Sequence, residues 1–463
     1  MPLYVVLPEN RFDAAMNRNP QTAQAKIMRR WTFLTMAWAL YYFLAFTLGG
    51  IPAFMSQTIW GGAALVGLVT VPVFMRRVRV RDIPREGVHL ILFLLWTLVG
   101  WFYVTDMALF MRFLKLVGML VLIVIAVSII LRNSGGVKWF YLAYLGVAVF
   151  RVLYGEGPVD MERIADTRVV DRITSANAVG YSCVLGVVSV LGLMQELKSF
   201  WFRAGLLAAG GIALYGVILS ASRGALVALM SAAFLWPLLC LVGSSRFKAK
   251  AMTVSILILI VSYGVFQFII QDTYMGVRFT HATQLEDGSS QMRLELFMTG
   301  MKAFAQNPIF GLGLGQFGTI TRTGQYAHNE FAEIIATTGL PGMLLYYPIY
   351  WLAWRRLTQA LRRLPDPVLR YRINMTRMIL LILLISGSLS RPVFITQDSM
   401  FLLGIVIGMA HWAERISLVA GGYYPVPAWG WSMPGFPVPS KQAVRPAGYA
   451  TMPPEIWLAN PVK

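Results

Sequence analysis

The sequence predicts an all-α, polytopic membrane protein of about twelve transmembrane helices, with one large hydrophilic loop that carries short helices. Three observations lead there. The chain is 57% hydrophobic and only 13% charged, against roughly 25% charged in a soluble domain. Apolar runs close to the ~17–25 residues a helix needs to cross hydrocarbon recur along its length. Those runs are continuous rather than alternating, which excludes a barrel and leaves the helix as the way to satisfy backbone groups in lipid.

The elements follow in order. Residues 1–31 are polar and predict a cytoplasmic tail. They contain no small-residue cleavage site, so the first apolar run reads as a retained anchor. Spans are expected near 32–48, 53–75, 88–104, 115–131, 137–153, 177–194, 202–220, 224–243 and 251–271, making nine within 32–271. Between the fifth and sixth lies a charged loop, 151–175, which includes Arg172. Residues 272–339 form the large loop, and 340–413 holds three more spans near 340–354, 376–390 and 399–413. The first two of these are short for a crossing. Residues 414–463 are rich in Pro, Gly and Trp, as in Tyr424-Pro425-Val426-Pro427. Such a composition cannot build a core and predicts an irregular cytoplasmic tail.

Charge sets the orientation. A net charge of +19 would suggest nucleic acid in a soluble protein. Counted by alternate loops, however, 28 of the 40 Lys and Arg residues fall on the N-terminal side, and the opposite face holds 12 of them with 13 of the 21 acidic residues. The positive-inside rule then puts the N-terminus in the cytoplasm and supports the twelve-span count. The basic clusters read as topology determinants and contacts to anionic membrane lipids, not as a nucleic-acid surface. Cys183 and Cys240 sit toward opposite ends of different spans, so no disulfide framework is implied. Four scattered histidines argue against a metal site. No internal repeat or inverted pair of broken helices points to a transporter.

Two helices are expected in the large loop. Leu294, Phe297, Met298, Met301 and Ala305 share one helical face, and that face could lie in the membrane interface. Asn307-Pro308 ends it. A second helix starts with Asn329 as its cap and stops at Gly339, with Pro341 just beyond. Gly313-Leu314-Gly315-Gln316-Phe317-Gly318 spells a dinucleotide fingerprint, but no strand precedes it and no acidic residue follows at the required offset. No nucleotide is expected there, and Asn307-Pro308-Ile309-Phe310-Gly311-Leu312-Gly313 reads as a tight re-entrant turn that needs close backbone approach.

The candidate chemistry lies in this loop and at the outer helix ends. His328 stands just before a helix N-terminus, where the dipole disfavours a cation and leaves an imidazole able to accept a proton. Tyr326, Asn329 and Glu330 flank it. A lone loop histidine is more often a surface hydrogen-bonding residue. Arg223 interrupts two spans within Ser222-Arg223-Gly224, Arg293 opens the amphipathic helix, and Arg391 precedes Asp398 between the last two spans. Arg278 and His281 lie earlier in the loop. Any one arginine there is best explained by snorkelling to headgroups. Several around one cavity would grip a diphosphate bidentately.

Taken jointly, Ser222-Arg223-Gly224, Arg293, Asn307-Pro308-x-x-Gly311-x-Gly313-x-Gly315, and His328-Asn329-Glu330-Phe331 leading to Gly339-x-x-Gly342 resemble the bacterial O-antigen ligase and polymerase superfamily. The likeness covers about 205–355, with the earlier spans similar in topology only. Asn177, opening the sixth span, is similar to an asparagine often seen there. The resemblance implies a glycosyltransferase in the bacterial inner membrane, working on its periplasmic face without metal or nucleotide cofactor. Its donor would be a glycan on undecaprenyl diphosphate, and its acceptor lipid A–core (a ligase) or another lipid-linked glycan (a polymerase). By position, Arg223 and Arg293 look like the arginines that engage the diphosphate and His328 like the histidine beside the acceptor. Asp398 looks like an acidic residue of the last outer loop.

Overall fold

The computed structural model describes residues 20–47, 62–154, 176–194, 196–197, 199–220, 222–240, scattered positions between 252 and 267, 288–321, 324–364, 366–390 and 392–420. The tail beyond 420, most of the ninth expected span, Arg278 and His281, and the loop holding Arg172 lie outside them, as does Arg391. Every regular element among the described residues is helical.

In chain order these are α1 (Pro20–Thr47), α2 (Gly62–Arg77), α3 (Arg85–Thr97, prolonged by a 3-10 turn at Leu98–Phe102), α4 (Met107–Ser134) and α5 (Lys138–Tyr154). Next come α6 (Ala176–Met194), α7 (Phe200–Leu219) and α8 (Arg223–Cys240). After the hydrophilic stretch stand α9 (Gly288–Gln306), the single turn α10 (Phe317–Ile320), α11 (Glu330–Tyr346), α12 (Pro348–Arg363), α13 (Pro367–Leu389) and α14 (Gln397–Ala420). Among the described residues, five stretches are long and apolar enough to cross a membrane, namely Arg85–Phe102, Met107–Ser134, Asn177–Met194, Phe200–Leu219 and Gln397–Leu418. α1 begins at Pro20, well before its apolar run, because Gln21 to Arg30 are mostly good helix formers that extend the helix at little cost.

α14 is the spine. It packs along α4, α12 and α13, and small residues allow the close approach. A Cβ on Gly404 would stand 3.1 Å from the Val124 carbonyl oxygen, and one on Gly408 2.8 Å from that of Ser128. This is the small-xxx-small spacing that lets helices meet where apolar side chains gain little by leaving lipid. On another side of α14, Phe401 sits 5.1 Å from the Tyr42 ring and 5.8 Å from Phe140, tying α1 and α5 to the spine. Outward faces carry exposed Leu65, Leu68, Trp201, Phe202 and Leu207, a surface that suits lipid and not water.

Ion pairs close one end of the bundle. Glu86, fully buried at the start of α3, accepts from Arg356 Nε at 2.8 Å and lies 2.8 Å from His411 Nε2, and Arg356 also pairs with Glu414. The other end of α3, roughly 20 Å away at ~1.5 Å per residue, meets the glycine-rich turn through Trp96.

At that far end the glycine-rich turn finishes α11's first half. Gly339 adopts φ 67°, ψ −170°, a conformation reserved for glycine, and splits α11. The amides of Leu312 and Gly313 donate to the carbonyls of Ala336 and Thr337 at 2.8 and 2.9 Å, satisfying acceptors that a helix end leaves open. The Leu340 amide returns a bond to the Pro308 carbonyl at 2.9 Å. Gly311, at φ 69°, lies so near that a Cβ would stand 2.6 Å from the Thr337 carbonyl carbon. The close approach expected of this turn is therefore real, and its partner is the protein's own helix. Trp96 Nε1 donates to the Thr338 carbonyl at 2.8 Å and stacks on Phe310, fastening the turn to α3.

α9 has two apolar faces. Leu296, Gly300 and Ala303 are buried against the turn and α11, whereas Leu294, Met298 and Ala305 are exposed. Of the stripe picked out by periodicity, three residues face outward, whereas Phe297 and Met301 are half-buried and Phe297 packs on the cluster around Phe317 and Ala336.

Candidate active site

The site is built on the last turn of α13 and the bend that follows it. Four separate elements reach residues 386–390. Asn329 Nδ2 donates to the Ser388 carbonyl at 3.0 Å, and Arg293 Nη1 donates to the adjacent Leu389 carbonyl at 3.4 Å. Gly224, next to Arg223, faces the same turn, since a Cβ there would lie 3.7 Å from Leu389 Cβ and 2.8 Å from the Tyr181 hydroxyl. Tyr181 from α6 lies beside Ser386 and within electrostatic reach of Arg293. The helices carrying Arg223, Arg293 and His328, distant in sequence, therefore meet at one place.

Arg223 occupies the first turn of α8, and Ser222 caps that helix. Its Oγ accepts from the Ala225 amide at 3.2 Å and donates to Asn177 Oδ1 at 2.7 Å. Asn177 thus joins α6 to the start of α8, directly beside Arg223. A helix N-terminus and a guanidinium at one spot favour an anion on both counts.

His328 lies at the head of α11 and is the one non-glycine residue with positive φ (55°) among those described. Histidine tolerates this left-handed region better than most residues, yet it remains strained there. Tyr326 packs against the imidazole with ring centroids 4.2 Å apart. Asn329 caps the helix as expected, its Oδ1 accepting from the Ala332 amide at 3.0 Å. Arg223, Arg293, Asn177, Tyr326, His328 and Asn329 are all half-buried, open enough to meet a ligand.

Glu330 differs. Only 2% exposed, its carboxylate accepts from Tyr346 at 2.8 Å and from the Val393 amide at 2.9 Å, with Tyr350 at 3.4 Å. Burial pushes its pKa up to about 7, partly offset by these bonds. Its position is that of a brace between α11, α12 and the bend at 393–395, turned into the core and away from any open surface. Asp398 lies in the first turn of α14, accepts from the Ser399 amide at 2.9 Å, and sits near Tyr42 and Tyr144. Arg172 and Arg391 fall outside the described residues.

Two contributors were not picked out from sequence. Arg151, in the last turn of α5, donates to the Ala178 carbonyl at 3.2 Å and to Ser182, bracing the outer end of α6 beside Asn177. Its place at the end of an apolar run was the available signal, but snorkelling explains that equally well. Glu333, 4% exposed, accepts from the Ala327 amide at 2.7 Å. No local pattern separates it from the many acids of helix first turns.

Residues 208–347 match the family model described as O-antigen ligase. That segment contains Arg223, Arg293, the glycine-rich turn and the His328-Asn329 helix start. No curated protein matches the chain. Over residues 208–347 the chain is therefore similar to the O-antigen ligase family.

Proposed function

We propose that the protein moves a glycan from undecaprenyl diphosphate to an acceptor hydroxyl at the periplasmic face of the bacterial inner membrane, as an O-antigen ligase acting on lipid A–core. The observation that carries this reading is the convergence of Arg293, Asn329 and the Arg223 helix start on residues 386–390, with His328 next to Asn329. Arg223 and Arg293 hold the diphosphate and stabilise the charge that grows on it as the bond to the sugar breaks. A lipid diphosphate is already a good leaving group, so the cations suffice and the energy arrives in the donor bond. The acceptor oxygen attacks the anomeric carbon as His328 takes its proton, the diphosphate departs with the bonding pair, and in-line attack inverts the configuration. Asn177, Tyr326 and Asn329 line the same region, and Asp398, Arg391 and Arg172 complete it from the outer loops. Glu330 acts from beneath as a brace.

The polymerase reading keeps every one of these roles and changes only the acceptor, to a lipid-linked glycan. Within this proposal the helices form twelve spans with both tails in the cytoplasm, and the buried Glu86–Arg356–His411 cluster closes the cytoplasmic end. Sidedness is open to direct measurement. Gln306 at the end of α9 and Arg362 near the end of α12 are both exposed. In intact spheroplasts an impermeant maleimide should label Gln306→Cys, and label Arg362→Cys only after the membrane is opened. The reverse pattern would put the site in the cytoplasm and overturn the mechanism.

A further inference from the structure

His328 is held in a backbone conformation that it would not choose, and the residues holding it are visible. Its two neighbours are both pinned to the helix that follows. On the C-terminal side Asn329 caps α11 and anchors to the Ser388 carbonyl. On the N-terminal side the buried Ala327 amide donates to Glu333 Oε2 at 2.7 Å. Glu333 sits one turn into α11, so its carboxylate folds back over the helix start and captures the amide that precedes the strained residue. Without that acceptor the buried Ala327 amide loses its side-chain partner, and the left-handed turn at His328 loses a bond that fixes its N-terminal side.

The Glu333 carboxylate is 4% exposed and has no ion pair among the described residues. Burial pushes its pKa up to about 7, opposed by the Ala327 amide. A group so enclosed is fitted to accept one backbone bond and not to meet substrate.

We propose that Glu333 is the positioning residue of His328, fixing through the Ala327 amide the turn that sets where the imidazole leaves the backbone. The inference rests on the reading of His328 as the base. It makes the role one of geometry, so any acceptor of the same shape serves. Glutamine retains an oxygen for the amide, whereas methionine has similar length and volume without it.

The test uses purified full-length enzyme with lipid-linked glycan donor and lipid A–core acceptor, and with lipid-linked glycan alone in parallel. Glu333→Gln should keep kcat within about threefold of wild type, with its rate–pH profile unmoved. Glu333→Met should lose roughly 10–100-fold in kcat while donor affinity stays close to wild type, since misplacing a catalytic group by about an ångström costs on that order. In a His328→Ala background, Glu333→Met should add little further loss, because residues acting as one unit are not additive. Losses that multiply, equal losses in Gln and Met, or an undiminished Met variant would each overturn the inference. Should the Met variant fail to fold, the glutamine arm still decides, since a large kcat loss there contradicts a role through the amide alone. Full activity in His328→Ala by itself would instead sink the parent reading, which keeps the two failures distinct.

Discussion

His328→Ala should slow glycan transfer by about 10²–10⁴-fold, the range expected for loss of a general base, while donor affinity stays near that of wild type. The separation follows from the geometry. Arg293 and the Arg223 helix start meet residues 386–390 from other elements, so the proposed grip on a diphosphate should survive when the imidazole is removed. The sign of the pH effect is also fixed. An imidazolium cannot accept a proton, so the wild-type rate falls as pH drops through the histidine's titration, and the alanine variant should lose that acid limb. Rate–pH profiles and donor binding for both proteins check it. A variant that keeps the limb, or that fails only in donor binding, would make His328 a positioning residue.

Arg223→Lys should cost roughly 10²-fold in transfer at matched protein levels, comparable to removing one donor aimed at developing charge. Lysine keeps the positive charge but not the planar fork that binds two phosphate oxygens together. It keeps the stem as well, so a merely snorkelling residue would tolerate the change. The comparison of kcat/KM for Arg223→Lys and wild type therefore separates shape from charge. Unaltered activity would return Arg223 to a headgroup contact.

How much of this was legible in the sequence depended on how local the determining physics was. The second loop helix was readable because its signals sit within it: Asn329 does cap it through the Ala332 amide, and Gly339 does break it. The glycine-rich turn was readable as a close approach, though not its partner, because the Ala336 and Thr337 carbonyls belong to a helix two dozen residues away. For α9, periodicity found an apolar stripe without showing that a second one, Leu296, Gly300 and Ala303, packs on the protein. Hydropathy alone cannot tell a lipid-facing side from a protein-facing one when both are apolar. Glu330 looked like a neighbour of the histidine and proved to be turned into the core toward Tyr346 and Tyr350. Adjacent residues on a helix point about 100° apart, so sequence proximity did not mean a shared surface. Arg151 and the gathering of elements at 386–390 are tertiary facts with no local trace.

Purified protein incubated with undecaprenyl-diphosphate-linked glycan and lipid A–core in excess chelator tests the central claim most directly. The account predicts glycosylated lipid A–core with release of undecaprenyl diphosphate. A ladder of lengthened lipid-linked glycan, formed with or without the core, would keep the chemistry and reassign the acceptor. An intact donor, with neither product formed by protein that binds it, would contradict the account.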